Sequence, residues 1–174
     1  MPAARFVEQL NTQIGYELAA HNQYLACAVY YDAQTMPQMA AFFYSQALEE
    51  RAHAMMMVRY LLDTDAEVII PGVEAPTPKF GDIVEPVALA LDQERQVTEQ
   101  INTLIRIARE ESDFASEQFL QWFIKEQVEE VATMTDLLAV VNRNRDDLED
   151  IEEYVARESG SDSADPTAPR IAGA

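Results

Sequence analysis

The sequence predicts an all-α protein: four long helices packed as a bundle, a long crossover between the second and third, and a short fifth helix near the C-terminal end. Three observations lead there. Four long segments carry apolar residues at three- and four-residue spacing, the period of one helix face. The interval between the second and third is rich in proline and glycine and too long for a tight turn. Beyond the fourth, a short amphipathic stretch gives way to small and polar residues.

The first helix runs from about Arg5 to Asp32, with Phe6, Leu10, Ile14, Leu18, Leu25 and Ala28 on its stripe. Gly15 interrupts it at a cost of roughly 1 kcal/mol relative to alanine. The second opens at Pro37, a favoured first helical position, and reaches about Asp63. Met39, Phe43, Ala47, Ala54, Met57 and Leu61 share its face. Thr64 to Glu85 contains Pro71, Gly72, Pro76, Pro78, Gly81 and a β-like run, Val68-Ile69-Ile70. Prolines at that density exclude a continuous helix, and an extended strand crossing the length of the bundle is expected instead. The third helix runs from Pro86 to about Glu111 and the fourth from about Asp113 to Asn142. The short fifth covers Asp146 to Glu158. Residues 1–158 thus read as one domain. The Ser, Asp, Pro, Ala and Gly of 159–174 predict a flexible tail.

Charge narrows the function. The 174 residues carry 31 acids against 12 bases, a net charge of -19. Phosphate recognition needs clustered Lys and Arg, so nucleic acid is not an expected partner, and an anionic membrane surface would repel the chain. Cations would be attracted. The one cysteine, Cys27, builds neither an intramolecular disulfide nor a thiolate cluster. No apolar run approaches the roughly 18 residues of a membrane span, and the N-terminus lacks a signal-peptide core. The expected location is the cytoplasm.

The functional signal is a set of acids that break the apolar stripes. Glu17 falls between Ile14 and Tyr24 on the first helix. Glu50 and His53 fall between Ala47 and Met57 on the second. Glu94 lines up with Leu91 and Val97 on the third, and Gln127 and Glu130 with Phe123 and Met134 on the fourth. Any one of these acids could be a boundary residue reaching water, and Glu50-Arg51-Ala52-His53 is a common pattern alone. The recurrence on all four helices is what counts. Four buried carboxylates without a Lys or Arg in the stripe are costly. Two divalent metals would neutralise them. Oxygen donors with one imidazole suit iron or manganese, with zinc able to compete.

These residues resemble bacterial non-haem ferritin over about residues 5 to 158. The resemblance rests on Glu17 followed by Tyr24, Ser45-Gln46-Ala47-Leu48-Glu49-Glu50-Arg51-Ala52-His53, Glu94, Phe119-Leu120-Gln121-Trp122-Phe123 and Glu126-Gln127-Val128-Glu129-Glu130. It implies a ferritin-like bundle with a di-iron ferroxidase centre. Glu17, Glu50 and His53 would hold the first iron and Glu94, Glu50 and Glu130 the second. Gln127 would hydrogen-bond beside the pair, and Tyr24 would supply an electron. Glu49, Glu126 and Glu129, with Glu130, would form a third iron site, though a solvated acidic face explains those three equally well. Bacterioferritins carry a second Glu-x-x-His on the fourth helix, where this chain has Gln127 and Glu130. They also carry a haem-ligating Met just before the metal-binding His, and Ala52 stands next to His53 here, so no haem is expected. Met55, Met56 and Met57 read as packing residues, and so does Trp122.

The resemblance further implies oxidation of Fe(II) by dioxygen or peroxide, mineral storage, and a hollow homo-oligomer of 24 subunits. Leu148, Ile151, Tyr154 and Val155 are then expected to pack on neighbouring subunits. The alternative is a di-iron or di-manganese oxidase or peroxidase of the same fold that stores nothing.

Overall fold

The computed structural model describes residues 1–158 and 165–174. It contains five helices: α1 (Ala4–Ala33), α2 (Pro37–Asp63), α3 (Glu85–Glu110), α4 (Phe114–Arg143) and α5 (Leu148–Glu158). α1 packs on α2 and α3 on α4, each pair joined by a short turn. The pairs meet chiefly through α1 and α3, and α5 rests on α2 and α4. Thr35, Asp65 and Ser112 adopt positive φ of 60°, 55° and 55° directly after the helices they end. Each occupies the left-handed position that usually takes glycine.

The starts of α2, α3 and α4 are capped by acids. Asp113 Oδ1 accepts from Ser116 N at the start of α4, and Asp82 Oδ1 accepts from Val84 N and Glu85 N before α3. The cap on α2 comes from α5, where the Glu152 carboxylate accepts from Gln38 N at 2.7 Å and Met39 N at 3.0 Å. Capping of that kind satisfies amides that lack an intrahelical partner.

The crossover lies along α1 as a single extended chain, and the described residues form no β ladder. The run Val68-Ile69-Ile70 finds no partner strand, so its backbone bonds to side chains instead. Asn11 donates to Glu67 O and accepts from Ile69 N. Gln23 does the same with Thr77 O and Thr77 N. Gly15 sits between these anchors, where a Cβ would lie 2.7 Å from Pro71 Cγ. Close passage of the crossover therefore accounts for a glycine inside a helix.

Two sequence expectations about packing are corrected. Leu25 is exposed and Leu18 only partly buried, while Tyr24, Cys27 and Tyr31 are fully buried. Seven-residue steps drift ~20° around a straight helix, which rotates the core face of α1 away from Leu25. Ile151 and Val155 of α5 are buried against this chain's own core, and only Leu148 is notably exposed.

The tail expectation divides. Residues 159–164 lie outside the described residues. Residues 165–174 are described, and they are docked. Asp165 accepts from Trp122 Nε1 at 3.2 Å and pairs with Lys125 at 3.1 Å. Arg170 pairs with Asp63, and Ala172 N donates to Met55 O. Ala168 and Ile171 add apolar contact with the core, a gain that composition alone does not show.

The core consists of two apolar clusters. One joins Tyr24–Tyr31 of α1 to residues 36–47, 84–91 and 134–141 and to α5. The other joins Phe6–Ile14 to residues 54–61, 97–108 and 120–123. The polar residues at 17, 50, 53, 94, 127 and 130 fall in the gap between them, at mid-bundle.

Candidate metal centre

One residue set fills that gap. Glu17 is 1% exposed, Glu50 1%, His53 4%, Glu94 0%, Gln127 5% and Glu130 6%. Tyr24 is fully buried beside them, and its hydroxyl donates to Glu94 Oε1. Among the described residues, no lysine or arginine is buried. His53 Nδ1 lies 3.8 Å from Glu50 Oε1 and 4.0 Å from Glu17 Oε2. One donor atom from each of Glu17, Glu50 and His53 falls within 4.8 Å of the other two. Glu17 Oε2 and Glu50 Oε1 are buried with no hydrogen-bond partner. Two orphaned anionic oxygens converging on an imidazole nitrogen are what a cation would satisfy. The donor set therefore fits a divalent metal.

Electrostatics agrees with the geometry. Burial pushes Glu17 well above the usual carboxylate range, and the neighbouring Glu50 charge pushes it further. Burial, then Glu94, does the same to Glu50. Glu130 is raised by burial and by Glu94, Glu50, Glu49 and Glu126. Glu94 rises to about 7 through burial, opposed by its bond from Tyr24. Without a cation, burial favours the protonated form of each carboxylate, because an ionised carboxylate is expensive in a dry interior.

Hydrogen bonds to the carboxylates fix their orientation. Gln127 Nε2 donates to Glu94 Oε2 at 3.2 Å, and Thr98 donates to Gln127 Oε1. Gln13 Nε2 donates to Glu17 Oε1 at 2.9 Å. The His53 ring stands edge-on to Trp122 and Phe123, at 5.6 and 5.8 Å. Sequence reasoning passed over Gln13 and Thr98. The signal for Gln13 was present: it lies one helical turn before Glu17, on the same buried face. Thr98 has only its spacing of four from Glu94.

Glu49, Glu126 and Glu129 lie beside the centre, along a groove of about 1130 Å³ between α2 and α4 that His53 and Glu130 also line. Glu49 accepts from Gln46, Glu129 is exposed and pairs with Lys125 at 3.6 Å, and burial raises the Glu126 pKa.

A family model for the ferritin-like domain matches residues 7–144. This chain belongs to the ferritin family. The ferritin BfrB of Mycolicibacterium smegmatis is 53% identical to this ferritin over 169 residues, 97% of this chain and 93% of the relative. A bacterial non-haem ferritin of Staphylococcus aureus is 37% identical over 147 residues, 84% of this chain and 89% of the relative. An open-pore ferritin from Archaeoglobus fulgidus superposes with a TM-score of 0.86 at 29% identity, covering 92% of this chain and 99% of that one. The five-helix ferritin fold is thus shared with solved relatives, and the buried carboxylates occupy its centre.

Proposed function

We propose that this chain is a subunit of an iron-storage ferritin that oxidises Fe(II) at a di-iron ferroxidase centre and keeps the product as ferric oxyhydroxide mineral. The observation that carries this reading is the convergence of Glu17 Oε2, Glu50 Oε1 and His53 Nδ1 on one point, with both oxygens unpartnered. Glu17, Glu50 and His53 take one Fe(II). Glu50, Glu94 and Glu130 take the second. Fe(II) is substrate here, and each ion gives up one electron. Dioxygen takes the pair with two protons and leaves as hydrogen peroxide, while peroxide taking the pair with two protons becomes water. The carboxylates' own part is to surrender their protons as cations arrive and to neutralise the charge that remains. Gln127 holds Glu94, and Tyr24 is bonded to the same carboxylate; where dioxygen is reduced beyond peroxide, its ring can give the oxidant one further electron while its hydroxyl proton passes to Glu94.

In this reading the acids of the groove, Glu49, Glu126 and Glu129 with Glu130, take a third iron. The chain carries no haem in this reading. Storage requires a shell, and 24 copies around a cavity in the cytoplasm form the assembly proposed. The exposed apolar residues Leu25, Val29, Tyr44 and Leu48 on α1 and α2 support burial against another copy. Among the described residues, no helix is long and apolar enough to cross a membrane.

The test is anaerobic Fe(II) loading followed by oxygen, read as the growth of ferric absorbance. Glu50→Ala and His53→Ala should each lower the rate to that of Fe(II) in buffer. A wild-type rate in both variants excludes the central site.

A further inference from the structure

Gln13 is fully buried on α1, and the reaction above gives it no task. Its Nε2 donates one hydrogen to Glu17 Oε1 at 2.9 Å and the other to Gln100 Oε1 on α3 at 3.1 Å. With Glu17 ionised, as a metal ligand is, the opposite amide orientation would set two oxygens against each other, so the nitrogen faces Glu17 and Gln13 Oε1 is left without a partner. The two oxygens of Glu17 are therefore unequal. Oε1 is committed to Gln13, whereas Oε2 is unpartnered and lies 4.0 Å from His53 Nδ1. Gln100 is partly exposed between α1 and α3, and its bond keeps the Gln13 amide from turning.

A carboxylate can bind a metal through one oxygen or through both. We infer that Gln13 is a positioning residue that holds Glu17 as a single-oxygen ligand, so that the oxidised metal is not chelated and can leave the centre. On the far side of the centre Gln127 donates to Glu94 Oε2 and is itself held by Thr98, but there Tyr24 occupies the other oxygen, Oε1. Both glutamines spend an amide hydrogen on a carboxylate oxygen, and each is anchored by a polar side chain.

The inference rests on the ferroxidase reading, and the test separates the two. Co(II) is titrated anaerobically into the full assembled protein, and its visible absorption is followed, because band intensity falls as coordination number rises. Gln13→Met keeps the length and removes the donor. The expected result is weaker bands per bound Co(II), with affinity about tenfold higher, the scale over which ligand number tunes such sites. On repeated Fe(II) additions in air, later oxidations should slow relative to the first more than they do in the unsubstituted protein. Gln100→Met, which removes only the anchor, should shift the spectrum the same way to a smaller extent, and it carries the test if Gln13→Met does not assemble. A supporting role limited to orientation predicts the reverse: affinity lower by about 10–100-fold with unchanged band intensity. That outcome, or a wild-type spectrum and affinity, overturns the inference. Glu50→Ala should abolish the Co(II) bands. If it leaves them intact, the central-site reading falls first.

Discussion

Glu94 shows most directly what burial does to a single residue here. Its pKa of about 7 in the fold stands above its usual 4.5. Below about pH 4.5 the carboxyl is protonated both folded and unfolded. As pH rises from there to about 7, the unfolded chain releases a proton that the fold still binds, so the metal-free fold weakens across that window. Above about pH 7 the loss is complete and constant. A cation reverses the preference, since it binds the ionised form and expels the proton. Zn(II) binding in weak buffer should therefore release more protons at about pH 6 than at about pH 8. An equal release at both, read with an indicator dye, would contradict a raised carboxylate. Cys27 stays out of this chemistry, because burial pushes its thiol up to about 12.

At the scale of elements, the helices are tied by a few polar bonds at their ends. Glu152 of α5 caps α2, so Glu152→Ala should lower stability by about 1 kcal/mol. A fall in the thermal midpoint without loss of helicity is the expected signature, and an unchanged midpoint would mean water replaces the cap at no cost. The docked C-terminal segment can be read through Trp122, the one tryptophan in the chain. Its indole donates to Asp165. Ending the chain before Asp165 should shift Trp122 emission to the red and raise its quenching by acrylamide. Emission identical to the full chain would show that the segment does not rest there. Trp122 also packs edge-on to His53, so this segment lies within two side chains of the centre.

At the scale of the whole molecule, the two apolar clusters are separated by a polar centre. The bundle gives up continuous core to hold it. Its outer α1 and α2 surface leaves Val29 58% and Leu48 65% exposed. Such a face is stable in water only if it is small or covered. Leu48→Arg should lower the assembled mass seen by size exclusion with light scattering while leaving helicity intact, because a charge buried between copies lacks a partner. A wild-type mass would place the interface elsewhere. Iron retained per assembly is the companion measurement: storage requires many more ions than one centre in each chain can hold.

Periodicity alone located five helices to within a residue or two, because a helix writes its burial pattern locally. Inward carboxylates on four separate helices revealed the centre, since nothing else in those stripes is charged. The sequence by itself therefore determined the helical class, the crossover and the residues that converge at mid-bundle. What only the tertiary structure decided depends on distant partners. Leu25 turned outward through slow drift of the α1 face. Ile151 and Val155 found their own subunit's core. Asp165 found Trp122 and Lys125 across 43 and 40 residues of chain. Gln13 became more than a polar residue in a stripe only when its nitrogen was seen against Glu17. Each is a contact between segments far apart in sequence, and local propensity carries no record of such a contact.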